Sequence, residues 1–185
     1  GNSMGAGLAI GMTLTHPIRV DKLVLISGLP SQVMAKLTSR SFRQALESRA
    51  PSWLVSFGNW LFGGLVTDSV LKEIVHDHTL LTPVVIERSN QNRRRPGIIK
   101  PILAARNAIP SWETDFAPRI SSITHPTMII WGEHDRVFPL AVGEELHNRI
   151  RGSTFVRIPK AGHMPQWERP DLVNQSVIAY IQPSP

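Results

Sequence analysis

The sequence predicts an α/β domain built on a parallel sheet with flanking helices, and three observations carry that reading. Lys22–Ser27, Thr127–Trp131 and Thr154–Ile158 are short, continuous, branched apolar runs, as expected of strands buried on both faces. A helical stretch from Pro139 to Ile150 separates the second and third runs, which is the strand-helix-strand rhythm of a parallel sheet. The long middle of the chain, Ser31 to Ser111, has helical periodicity and no comparable strand run, so it reads as a helical insertion between two strands.

Taken in order, Met4 to Thr15 is rich in Gly and Ala with apolar residues at helical spacing, and His16-Pro17 forces that helix to stop. Gly28 and Pro30 close the first strand run. The insertion carries Trp53, Trp60 and Phe62, whose plainest use is helix-on-helix packing. The expected organisation is therefore core residues 1–30, a helical cap over 31–111, and the remainder of the core over 112–185.

Composition narrows the functions. The chain has 185 residues, of which 42% are hydrophobic and 18% charged, enough to bury one core and unlike a disordered segment. It has no cysteine, which excludes a disulfide framework and thiolate chemistry and leans towards a cytoplasmic location. No run approaches the roughly 20 uninterrupted apolar residues of a membrane span, so no membrane partner is expected. The net charge of +6 draws on Arg93, Arg94 and Arg95. No aromatic residues interleave them as a base-stacking platform needs, so they read as a solvated loop and no nucleic acid is expected.

The chemistry begins at the first residue. Gly1-Asn2-Ser3-Met4-Gly5 matches G-x-S-x-G and runs straight into a helix. A nucleophile on so tight a turn has a strained backbone, and side chains two residues before and after it are expected to collide unless very small. The helix points its free amides at the reacting carbonyl, which makes the Met4 amide an oxyanion-hole donor. A serine needs a base, and the base needs an acceptor, both at the carboxyl edge of the sheet. Asp135 follows the second strand in Trp-Gly-Glu-His-Asp-Arg-Val-Phe-Pro, where Gly132 lets the chain turn sharply off the sheet. His163 follows the third in Pro-Lys-Ala-Gly-His-Met-Pro. His76-Asp77-His78 invites a metal reading, but side chains at i and i+2 diverge on a helix and no third ligand is evident, so no metal is expected.

On these residues the chain resembles the α/β-hydrolase superfamily from the nucleophile elbow onward. The likeness rests on Gly1 to Gly5, His16 to Gly28, Trp131 to Pro139 and Gly162 to Pro170. Within the superfamily it is most similar to ester hydrolases and to meta-cleavage-product hydrolases, which cut carbon-carbon bonds. The resemblance implies a Ser-His-Asp triad at Ser3, His163 and Asp135, with Asp135 preferred over Glu133 and with Asp115 as a fallback acid. It also implies a helical cap over the site, no cofactor, a small-molecule substrate, and room for a homo-oligomer.

Asn2, and Gln166-Trp167-Glu168 after the histidine, resemble the carbon-carbon hydrolases in particular. Met164 stands where many of those enzymes have Trp, and Ala6 where they have a second Gly, so both subfamilies stay open. Arg88 sits at the distance of the cap arginine that grips a substrate carboxylate in those enzymes. Trp60 and Phe62 are expected to line the pocket between cap and sheet. The family's earlier strands and its second oxyanion donor are expected upstream of Gly1, making this the C-terminal part of the fold. The leading function is ester-like hydrolysis through an acyl-enzyme, with carbon-carbon cleavage or a non-catalytic binding role as alternatives.

Overall fold

The computed structural model describes residues 1–182. Its sheet has strands β1 (Leu23–Ile26), β2 (Thr127–Gly132) and β3 (Thr154–Ile158), all parallel and adjacent in that order. Each coincides closely with one of the apolar runs. β2 is the centre, with every residue buried, which is why its sequence shows no polar alternation. Leu25 pairs with Ile129, and Ile130 with Val156.

On the far side of β1, Asn2 bridges to Ile26 in parallel, and the Ile26 amide donates to the Gly1 carbonyl at 2.9 Å. The chain therefore reaches its first helix from the last rungs of strand pairing. The sequence shows no strand there because two residues carry no period.

Helix α1 (Met4–Thr15) follows at once. Between β1 and β2 lie α2 (Val33–Lys36), α3 (Arg40–Glu47), α4 (Ser52–Ile74), α5 (Pro83–Arg93) and α6 (Ile99–Ser111), with no strand among the described residues. Pro110 sits in the last turn of α6, and the chain there widens into a π turn over Trp112–Phe116. A proline has no amide to donate and crowds the preceding turn, so the regular ladder cannot continue. The segment after β2 holds α7 (Leu140–Arg149), α8 (Pro165–Glu168) and α9 (Pro170–Ile181).

Alternate residues of β2 serve opposite faces. Ile129 and Trp131 join Ala6 and Ile10 of α1, Val142 and Leu146 of α7, and Ile120 in one core. Met128 and Ile130 join Ile158, Ala161 and Val173 of α9 in the other. The insertion's two ends meet: the Trp112 indole N–H donates to the Pro30 carbonyl at 2.6 Å, and Glu113 accepts from the Gln32 and Val33 amides at 2.8 and 2.6 Å.

α4 departs from one sequence expectation. By length and composition alone it is long and apolar enough to cross a membrane, though little of it is buried. Ser56 and Asn59 interrupt its apolar residues, so a search for an uninterrupted run passes over it.

Candidate active site

Three loops at the carboxyl edge of the sheet build the site. In the first, Ser3 has φ 52° and ψ −118°, a conformation side-chain-bearing residues rarely adopt and that costs on the order of 1–3 kcal/mol. Pairing to β1 fixes it: the Ser3 amide donates to the Ile26 carbonyl at 2.9 Å. Ser3 is also the N-cap of α1, yet its hydroxyl makes no capping bond. A capping serine normally commits that oxygen to the helix amides. Here Gly5 bonds instead to the Asn2 carbonyl and Ala6 to the Ser3 carbonyl, and the Met4 amide takes no part in these bonds.

The small-residue rule of the elbow holds on one side only. A Cβ on Gly1 would strike the Gly5 carbonyl, whereas a Cβ on Gly5 meets nothing within 4 Å. The expectation that both positions are crowded is corrected: the steric demand falls on Gly1, whose Cβ would point back into the turn.

The second loop holds Asp135, whose side chain has no exposed surface. Its Oδ1 accepts from the Val137 amide at 2.8 Å and the Phe138 amide at 3.0 Å, while Oδ2 lies 2.8 Å from His163 Nδ1. Glu133, the competing acid, is exposed. The third loop carries His163, which is 4% exposed. Its amide donates to the Ile74 carbonyl at 2.8 Å, and its carbonyl accepts from Asn2 Nδ2 at 3.1 Å. Asn2 also donates to the Ile26 carbonyl at 3.2 Å, so one side chain ties the Ser3 turn to the His163 loop. No hydrogen bond joins Ser3 Oγ to the His163 ring among the described residues.

Gly132 serves a second purpose beyond the turn its sequence suggests. It ends β2 and opens the turn that follows, its carbonyl accepting from the Asp135 amide at 3.3 Å, and a Cβ there would meet the Ala161 carbonyl at 2.5 Å and the Gly162 carbonyl closer still. The histidine loop lies directly on this glycine. Gly132→Ala should therefore lower stability by about 3 kcal/mol, at the upper end for overpacking, and displace His163. Urea unfolding of the full-length protein checks this, and a loss below about 1 kcal/mol would show that the loop yields easily.

The insertion reaches two of these loops. Thr38 Oγ1 donates to the Arg136 carbonyl at 2.7 Å beside Asp135, and Ile74 holds His163. Just beyond Ile74, His76 stacks on His134 with ring centroids 3.9 Å apart. Burial first, and then the neighbouring His134, hold the His76 imidazole below its ordinary pKa, with Glu168 acting the other way. His78 Nε2 lies 3.1 Å from the Lys72 carbonyl and Asp77 Oδ1 takes the Thr79 amide, while His76 Nδ1 is buried without a hydrogen-bond partner among the described residues.

The expected binding residues scatter. Met164 sits beside His163 as the N-cap of α8. Trp60 is 71% exposed and lines a groove of about 440 Å³ with Trp53, Arg93, Arg94, Arg95 and Lys100, in which Ser3 takes no part. Phe62 is 57% exposed on α4 outside that groove. Arg88 is exposed on α5 with no ion pair or hydrogen bond among the described residues. None of these three shares a hydrogen bond or a groove with Ser3 among the described residues. α4 is apolar all round, so its periodicity does not choose a face. Arg93 belongs to the scaffold, donating to the Asn90 side chain and the Asn59 carbonyl at 2.9 and 2.6 Å.

A parallel sheet with helices on both faces, a strained serine turn and a buried Asp–His pair at its carboxyl edge define an α/β hydrolase, and the α/β hydrolase fold family model matches residues 1–170. The chain belongs to this family. It is 31% identical, over 98% of its length, to a 2-hydroxy-6-oxononadienedioate/2-hydroxy-6-oxononatrienedioate hydrolase of Klebsiella pneumoniae, and 28% identical to the enzyme of that name from Escherichia coli. It spans about 60% of the length of these curated relatives. Among solved structures, a meta-cleavage product hydrolase from Pseudomonas fluorescens superposes with TM-score 0.76 at 21% identity, covering 97% of this chain and 62% of that one. A thermophilic esterase from Thermogutta terrifontis gives 0.67 at 24%, covering 98% and 62%. At these identities the structures speak for the fold alone.

Proposed function

We propose that the protein is a serine hydrolase in which Ser3 attacks a carbonyl, His163 is the base and Asp135 orients it. The observation that carries this reading is the buried 2.8 Å contact between His163 Nδ1 and Asp135 Oδ2, on a loop that Asn2 ties to the Ser3 turn. With its Nδ1–H donated to Asp135, His163 keeps Nε2 free to take the Ser3 proton. The hydroxyl oxygen then adds to the carbonyl carbon, and the oxyanion settles on the Met4 amide at the positive end of α1, a donor worth about 3 kcal/mol in such sites. Collapse expels the leaving group with the proton from His163. Water, deprotonated by the same imidazole, releases the acid and frees Ser3. The serine-histidine bond is one that tightens in the substrate complex.

The substrate is a small molecule, handled without a cofactor and, on the cysteine-free composition, in the cytoplasm. Ester-like carbonyls are the leading class. The named activity of the curated relatives favours a second reading, hydrolytic carbon-carbon cleavage of a 2-hydroxy-6-oxo dienedioate by the same three residues.

The test is to give the full-length protein a short-chain nitrophenyl ester and, separately, a 2-hydroxy-6-oxo dienedioate, following nitrophenolate release and loss of the dienoate absorbance. Turnover of the ester at least tenfold better supports the first reading, and the reverse supports the second. Turnover of neither, with Ser3 inert to a fluorophosphonate, would leave a binding role.

A further inference from the structure

We infer that Glu168 is a positioning residue for His163, a buried carboxylate that clamps the end of α4 to the histidine loop; this rests on the serine-hydrolase reading. Glu168 ends α8, whose N-cap Met164 directly follows His163. It is 6% exposed, and every polar contact its side chain makes is with a backbone amide. Oε1 accepts from Gly162 at 2.7 Å, while Oε2 accepts from His76 at 2.7 Å and Asp77 at 3.1 Å. No Lys or Arg forms an ion pair with it among the described residues.

Burying a carboxylate is costly unless its oxygens are bonded, and bonds to an ionised acceptor are short and strong. Both oxygens are satisfied here, one on each side of a joint. The Gly162 amide fixes the residue before His163, and the His76 and Asp77 amides fix the chain just after Ile74, whose carbonyl receives the His163 amide at 2.8 Å. The backbone at His163 is thus held by Glu168, Ile74 and Asn2 together. Glu168 is the only one of the three that grips both the loop and the insertion through its side chain. A shift of this loop moves the imidazole relative to Ser3, and misplacement by about 1 Å can cost on the order of 100-fold in rate.

An amide cannot reproduce the clamp. With its oxygen on Gly162, the glutamine side chain of Glu168→Gln would turn its NH2 group against the two donors at His76 and Asp77; flipped, it would oppose Gly162. The experiment uses the full-length protein and compares Glu168→Gln with Glu73→Gln. Glu73 shares the end of α4 with Ile74, but its side chain accepts from the Ser41 amide and hydroxyl and the Ser39 hydroxyl inside the insertion and makes no bond to the histidine loop. Measured are kcat and KM on a nitrophenyl ester, the rate of Ser3 labelling by a fluorophosphonate, and near-ultraviolet circular dichroism.

In Glu168→Gln, kcat and the labelling rate should fall together by about 10- to 100-fold, with KM changed less than about threefold, because His163 acts on the attack and not on binding. Glu73→Gln should lower thermal stability and leave both rates within about twofold. Folded Glu168→Gln with kcat within about threefold of the parent overturns the inference, as does an equal loss in Glu73→Gln. Glu168→Asp, which keeps the charge but shortens the reach, serves by the same criterion if Glu168→Gln does not fold. If neither folds, Glu168 acts on the fold alone and the inference is wrong. A parent protein that neither turns over the ester nor labels at Ser3 defeats the serine-hydrolase reading itself, a result distinct from all of these.

Discussion

Ser3→Ala in the full-length protein should reduce ester turnover by about 10⁶-fold, leaving only what the oxyanion donor and substrate binding supply, because the other two groups have nothing to activate once the nucleophile is gone. The fold should not suffer. The Ser3 hydroxyl caps nothing in α1 and its amide, which pairs with Ile26, is kept by alanine. Alanine at φ 52° carries the same strain as serine, whereas Ser3→Gly should relieve about 1 kcal/mol or more of it and unfold at a higher temperature while being equally inactive. Calorimetry alongside the kinetic assay checks both. A Ser3→Ala protein keeping more than about one percent of turnover would remove Ser3 from the chemistry.

Asp135→Asn should fold and yet lose about 10⁴-fold in kcat, the scale seen when the acid of a serine triad becomes an amide. The structure dictates which way the asparagine faces. Its oxygen must replace Oδ1 and accept from Val137 and Phe138, so its NH2 group points at His163 Nδ1. The imidazole then has to accept there and carry its proton on Nε2, where the serine proton must go. The rate should fall at every pH at which the base is neutral, with KM little changed. An NMR measurement of the His163 ring protons reports the tautomer directly; a variant within tenfold of the parent, or one still protonated at Nδ1, would contradict this account.

The parts of this protein legible in its sequence are those set by local pattern. The three strand runs and α1 fall almost residue for residue where branched apolar stretches and His16-Pro17 place them, since burial on both faces leaves a continuous signature. Asp135 and His163 are readable for the same reason: each follows a strand, and parallel strands deliver their ends to one edge. What the sequence hides is long-range. Glu168 shows in the sequence as part of Gln166-Trp167-Glu168, but nothing local says that it binds the amides at 76 and 77. Gly132 reads as a turn residue, and that the histidine loop also lies across it is not readable locally. The outward faces of Trp60 and Phe62 are unreadable because a helix apolar on all sides has no preferred side until its neighbours are known.

The contact between Trp112 and Pro30 makes the insertion's entrance and exit a single doorway. Seen from the sheet, everything between them is one closed loop, and the entropic cost of closing such a loop grows only with the logarithm of its length, about 0.6 kcal/mol for each doubling. The strands register against one another without reference to what hangs outside that doorway. Helices α5 and α6, which make no hydrogen bond to the catalytic loops, can be lengthened, shortened or exchanged at small cost to the sheet, so long as Trp112 and Glu113 close the seam and Thr38, Ile74, His76 and Asp77 keep their bonds to the Asp135 and His163 loops. The outer helices and the sheet are therefore free to change at different rates, while the ends of the insertion that touch the Asp135 and His163 loops are bound to change with them.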